Sequence, residues 1–73
     1  MESHNKSAIR FGRQIIKLRN DLGISQEELA FRSELSRTYI GCIERGEKNP
    51  TIVTIEKLAK GLNITKSKLM DYE

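Results

Sequence analysis

Apolar residues recur along this chain with the 3.6-residue period of helices, and no alternating run is long enough to read as a strand. Ala8, Phe11, Ile15, Leu18 and Leu22 follow one another at 3,4,3,4 spacing, which predicts an amphipathic helix over residues 7–22. Gly23 stops it in the usual C-terminal role, while Gly12 inside it either weakens the helix or admits a close neighbour. A second helix is predicted over residues 26–33, with Leu29 and Ala30 facing inward. Its start, Ser25-Gln26-Glu27-Glu28, has the form of a capping box, in which Glu28 reaches back to the cap. A third runs over residues 37–45, with Ser36 as N-cap and Gly46 as terminator. The polar loop Glu47-Lys48-Asn49-Pro50 leads to a fourth helix over residues 52–62, capped by Thr51 and closed by a left-handed Asn63. Ile52, Ile55, Leu58, Ala59 and Leu62 are its expected inner face. Thr65 caps a short fifth helix over residues 66–72. The expectation is an all-α fold: a polar tail, residues 1–6, then one compact five-helix domain, residues 7–73.

Composition narrows the function. Seventy-three residues leave no room for a second domain, and a chain this short is near the lower limit for folding alone, so a dimer partner would help. Thirteen basic residues against ten acidic ones give a net charge of +3, which suits a polyanionic partner. A single cysteine excludes an internal disulfide and the usual Cys/His zinc site. The only histidine, His4, falls in the tail. No nucleophile–base pair, phosphate-cradling glycine loop or metal cluster is present, so neither an enzyme nor a cofactor or metal is expected. No run approaches the roughly 18–20 apolar residues of a membrane span. No apolar leader opens the chain, so the reading is cytoplasmic.

The informative stretch lies between Ser25 and Gly46. Two short helices are separated by Ser33-Glu34-Leu35-Ser36, the spacing of a helix-turn-helix over about residues 25–45. On a helical wheel, Tyr39, Ile40 and Ile43 of the second unit share one side, and Arg37, Thr38, Gly41, Cys42 and Arg45 the other. That outer side carries two cations, a hydroxyl and a thiol, with nothing bulky, which fits a DNA major groove about 12 Å wide. Arg37 suits guanine O6 and N7, Thr38 a base edge or thymine methyl, and Cys42 a thymine methyl. Charge is segregated as well. Lys6, Arg10, Arg13, Lys17 and Arg19 occur with no acid among them, whereas residues 20–34 hold four acids against Arg32.

The run SQEELAFRSELSRTYIGCIERGEKNPTIVTIEKLAKGLNI resembles the helix-turn-helix family of phage lambda repressor and Cro over roughly residues 9–70. Within it, LAFRSELSRTYIGCIERGEKNPT is similar to the controller proteins of restriction–modification systems. The resemblance implies a lambda-repressor-like fold and a dimeric, sequence-specific transcriptional regulator that activates and then represses its own promoter. Its partners would be near-palindromic double-stranded DNA, a second copy of the chain, a second dimer on the same DNA, and RNA polymerase. Base reading falls to Arg37, Thr38 and Cys42. Phosphate contact falls to Ser25, Gln26, Tyr39, Arg45, Lys48 and Asn49; Arg19 is grouped with them but matches a family ion pair with Glu44. Glu27 and Glu34, with Glu28, form an acidic edge that in related repressors touches polymerase; the alternative is a plain solvated face. Ile64, Leu69, Met70 and Tyr72 either close the core or pack across a dimer axis. Glu34 departs from the family pattern, which has glycine in the turn, and this implies a slightly different turn. The competing readings are a phage-type repressor or antitoxin of the same fold, and a helical adaptor whose basic face binds protein.

Overall fold

The computed structural model describes residues 6–72, so His4 and the rest of the expected tail, save Lys6, lie outside the described residues. Lys6 is not tail; it opens the first helix. Five helices are described: α1 (Lys6–Leu22), α2 (Gln26–Ser33), α3 (Arg37–Glu44), α4 (Ile52–Leu62) and α5 (Lys66–Leu69). Four of them start on a hydroxyl. Ser25, Ser36, Thr51 and Thr65 each accept the amide of the third residue onward at 3.0–3.1 Å, satisfying a donor that the helix itself leaves unpaired. The capping box at α2 is only half formed, because Glu28 turns forward to Arg32, one turn on, at 2.8 Å.

The core gathers one face from every helix: Phe11 and Ile15 of α1, Leu29 of α2, Ile40 and Ile43 of α3, Leu58 and Leu62 of α4, and Leu69 of α5. Two glycines let helices approach closely. A Cβ on Gly12 would strike the backbone carbonyl oxygens of Ile43 and Glu44, so α1 lies directly against the end of α3. A Cβ on Gly61 would strike the Ser33 hydroxyl, so α4 lies against the end of α2. The Ser33 hydroxyl is buried there without a hydrogen-bond partner among the described residues.

Several expectations are corrected. Leu22 is half exposed, because a straight helix drifts about 20° per heptad and two heptads separate it from Ala8. Ile52 is 74% exposed. The buried face of α4 centres on Leu58 and is flanked by Thr54 and Gly61, which puts Ile52 about 120° round the helix. Two contacts turn α4 that way: Gly61 against α2, and the Tyr39 hydroxyl of α3 at 3.1 Å from Thr54 Oγ1. Helix α5 ends at Leu69, three residues early, and Asp71 follows, an acid that the negative end of a helix disfavours.

The turn before α3 keeps the left-handed geometry despite lacking glycine. Glu34 sits at φ 57°, ψ 40°, and the Leu35 amide closes onto Ala30 at 3.0 Å. The expected change of turn is therefore absent, and the chain carries the strain of a side chain in that region, roughly 1–2 kcal/mol. Part of that is offset by the greater freedom of glycine in the unfolded chain. Glu34→Gly is expected to stabilise the protein by about 1 kcal/mol, a rise in Tm of roughly 4–8 °C. Thermal unfolding of Glu34→Gly beside Glu34→Ala tests this, since relief of left-handed strain requires only the glycine variant to gain.

Candidate nucleic-acid interface

The frame that carries α3 is polar and partly buried. Glu44, its last residue, is 7% exposed, which requires its charge to be paired. Arg19 of α1 donates to it through Nε at 2.7 Å and Nη2 at 3.2 Å, a two-pronged carboxylate clasp. A third donor bond ties Arg19 Nη1 to the Ile24 carbonyl at 3.0 Å. Gln26, at the start of α2, donates Nε2 to Glu44 Oε1 at 2.7 Å. One carboxylate thus locks α1, α2 and α3 together. The resemblance to the lambda repressor and Cro family implied the Arg19–Glu44 pair; the Gln26 strut was not expected, since Gln26 was placed with the phosphate contacts.

The face so positioned matches the wheel. Arg37, Thr38 and Arg45 are exposed, Cys42 is half-buried, and Ile40 and Ile43 point into the core. Helix α3 is eight residues long, about 12 Å, short enough to lie along a groove. Gly41 is buried by its own neighbours: the Arg45 and Arg37 guanidinium groups pass 3.1 and 3.6 Å from where its Cβ would stand. The space over Gly41 is filled by these two cations. Arg45 is also held by Glu47, with Nε and Nη2 at 2.7 and 3.2 Å from its carboxylate, and touches Cys42 Sγ at 3.7 Å. The hydrogen bond to Glu47 raises the Arg45 pKa, and the bond from Arg45 lowers that of Glu47 below the usual carboxylate range. The clasp on Glu47 uses Nε and Nη2 and leaves the two Nη1 protons outside it.

The phosphate set is less uniform than its sequence pattern. Lys48 and Asn49 are exposed in the loop after α3. Ser25 is exposed, and its cap bond uses the oxygen as acceptor, leaving the hydroxyl proton to donate. Gln26 has one amide proton committed to Glu44. Tyr39 is half-buried with its hydroxyl on Thr54. Arg19, its side chain 15% exposed, serves the frame. Of the expected dimer residues, Ile64 and Tyr72 are half-buried and Met70 is 43% exposed. Leu69 is corrected: it is 0% exposed and belongs to the core, because α5 is folded inward and the Gln14 amide holds the Leu69 carbonyl at 3.2 Å. An arginine at Leu69 would unfold the domain rather than split a dimer.

One residue on this surface escaped the sequence reading. Phe31 is 81% exposed on α2, one turn after Glu27 and one before Glu34. Its offset from Leu29, Ala30 and Ser33 on the wheel was the signal that could have found it.

Comparison with known proteins places the chain. The helix-turn-helix family model matches residues 15–69. The Control protein C.MunI of Mycoplasma sp. is 44% identical over 66 residues, 89% of each chain. The crystal structure of the restriction–modification controller protein C.AhdI from Aeromonas hydrophila superposes with a TM-score of 0.87. It is 42% identical and covers 90% of this chain and 100% of its own. A tyrosine-to-phenylalanine mutant of the controller C.Esp1396I, bound to its highest affinity operator site OM, superposes with a TM-score of 0.86 at 34% identity. It covers 93% of this chain and 90% of its own. With five helices, a helix-turn-helix at α2–α3 and these relatives, the chain belongs to the helix-turn-helix family of restriction–modification controller proteins.

Proposed function

We propose that this chain binds an operator as a dimer and regulates transcription of a restriction–modification system, its own promoter included. The observation that carries the reading is α3: a short helix locked to α1 and α2 through Glu44, with Arg37, Thr38 and Cys42 on its outer side. Arg37 and Thr38 read bases and Cys42 lies against a thymine methyl. Ser25, Lys48, Asn49, Arg45 and the second amide proton of Gln26 take phosphates and set the register, and Tyr39 supports that edge from its bond to Thr54. Residues 7–73 act as one DNA-binding unit.

Dimerisation uses Ile64, Met70 and Tyr72, to which the exposed Ile52 and Val53 are added and from which Leu69 is withdrawn. A two-fold pair would set its two α3 helices about 34–36 Å apart, over successive major grooves of a near-palindromic site. Two such dimers on adjacent sites would turn activation into repression. The activating contact with RNA polymerase is assigned to Glu27 and Glu34, with Phe31 between them as an apolar anchor. A phage-type repressor, an antitoxin and a protein-binding adaptor are the readings this one displaces.

The test is a gel-shift titration at about 150 mM salt, with DNA upstream of the chain's own gene beside an unrelated duplex. Discrimination of at least ~10³-fold is expected. Arg37→Ala is expected to weaken operator binding by ~1–3 kcal/mol and to relax preference at one base pair. Equal weakening on both duplexes would reduce Arg37 to a phosphate contact, and no discrimination by the parent protein would discard the operator.

A further inference from the structure

Helix α1 carries a second basic surface whose cations the reading above does not use; of its surroundings only Tyr72 is shared with the proposed dimer contact. Lys6, Arg10, Arg13 and Lys17 fall within about 60° of one another on the helical wheel, in a stripe about 16 Å long. Gly12 and Arg19, which face α3, lie on the other side of α1. The stripe therefore points away from the recognition helix. Its centre is an open cavity of about 180 Å3 lined by Arg10, Arg13, Gln14, Lys17 and Tyr72.

The walls of this cavity are fixed from below. Gln14 is buried and bonded to the Leu69 carbonyl, which ties α1 to the end of α5. The Arg10 guanidinium lies 5.8 Å from the centre of the Tyr72 ring, a cation–π distance that places the aromatic wall. Arg13 has no hydrogen bond or ion pair among the described residues. Lys17 pairs with Asp21 at 3.1 Å, but both side chains are more than half exposed, so that pair exchanges readily with another anion.

The arrangement works against helix stability. Like charges at i,i+3 and i,i+4 repel, and cations at the start of a helix oppose its dipole. No acid stands in the first turn of α1 to offset them. The Arg10–Tyr72 contact and the Lys17–Asp21 pair offset part of this cost, and the Arg13 charge is met by no partner among the described residues, which leaves it for an outside anion. Two arginine forks and an ammonium around a space of this size match the oxygens of a phosphate group.

We propose that the Arg10–Arg13–Lys17–Tyr72 cavity is an anion site that takes a phosphate group, on the opposite side of α1 from the base-reading helix. The phosphate comes either from a free phosphorylated solute or from the backbone of a second stretch of duplex. Its occupation relieves the repulsion along α1, so it stabilises the domain without entering the operator interface.

Amide chemical shifts of the isotopically labelled protein test this. Sodium phosphate is titrated at constant ionic strength against chloride, and in a second arm a random 15-base-pair duplex is added to protein already saturated with operator. Saturable shifts at residues 10–17 and 72 are expected, with a free-phosphate midpoint on the order of 1 mM if the source is a solute. Saturation only with the second duplex assigns the source to DNA backbone. The exposed double variant Arg13→Gln/Lys17→Gln should keep its fold and its affinity for a short operator but weaken the response at least tenfold. Shifts that rise linearly, that chloride reproduces, or that survive in the double variant would overturn the site, as would silence in both arms.

Discussion

Gly12→Ala is expected to destabilise the domain by roughly 3 kcal/mol, at the upper end of ordinary overpacking. In an open helix the same change would stabilise it by about 1 kcal/mol, since alanine is the better helix former. The sign is therefore informative. The added carbon would meet the carbonyl oxygen of Ile43, and would stand 2.7 Å from that of Glu44 and 3.0 Å from its carbonyl carbon. Those atoms are backbone at the end of α3, and they cannot swing aside as a flexible side chain does. Relief requires α1 and α3 to part, which also stretches the Arg19–Glu44 clasp. At 4–8 °C per kcal/mol for a domain of this size, Tm should fall by roughly 12–24 °C. Operator affinity should fall even at temperatures where the variant stays folded, because α3 is displaced. Calorimetry and gel shift on one preparation check both parts; an unchanged or raised Tm would show that α1 and α3 do not meet as closely as described.

Glu44→Ala is expected to cost about 3–5 kcal/mol, the range for breaking a buried pair from one side. Total stability for a domain of this length is roughly 4–11 kcal/mol, so the variant stands near unfolding. The loss exceeds that of one surface ion pair for two reasons. Arg19 is largely desolvated, its side chain being 15% exposed, and Gln26 loses its acceptor at the same time. The bond from Arg19 to the Ile24 carbonyl remains and places the expected value toward the lower end. The double replacement Arg19→Met/Glu44→Leu should recover most of the stability, because apolar residues of similar volume leave no stranded charge. Denaturant unfolding of the single and double variants measures the difference. A double variant no more stable than Glu44→Ala would mean that the network acts through geometry that apolar packing does not replace.

Much of this molecule was legible in the chain because its signals are local. A hydroxyl three residues ahead of an amide caps a helix whatever else surrounds it, so Ser25, Ser36, Thr51 and Thr65 marked four starts correctly. Asn63 and Gly46 adopt the positive φ expected of helix terminators. The α2–α3 spacing and the outer face of α3 follow from the period of the helix alone. Glu34 shows the limit of such reasoning: its poor left-handed propensity suggested another turn, but packing on both sides of the turn holds the geometry and the chain accepts the strain.

The sequence by itself determined five helices, their caps and the side of α3 that faces outward, because each depends on residues within one or two turns. Only the tertiary structure decided which apolar residues are core and which are surface. Leu69 and Ile52 carry the same kind of signal in the chain. One is fully buried and the other 74% exposed, because α5 folds inward under Gln14 while α4 is rotated toward Ser33 and Tyr39. It also decided where the charged groups go. Glu44 gathers Arg19 and Gln26 from 25 and 18 residues away, and Arg10 meets Tyr72 from the far end of the chain. A helical period fixes directions around one axis; the angle between two axes is set by whichever side chains, or missing side chains, stand between them.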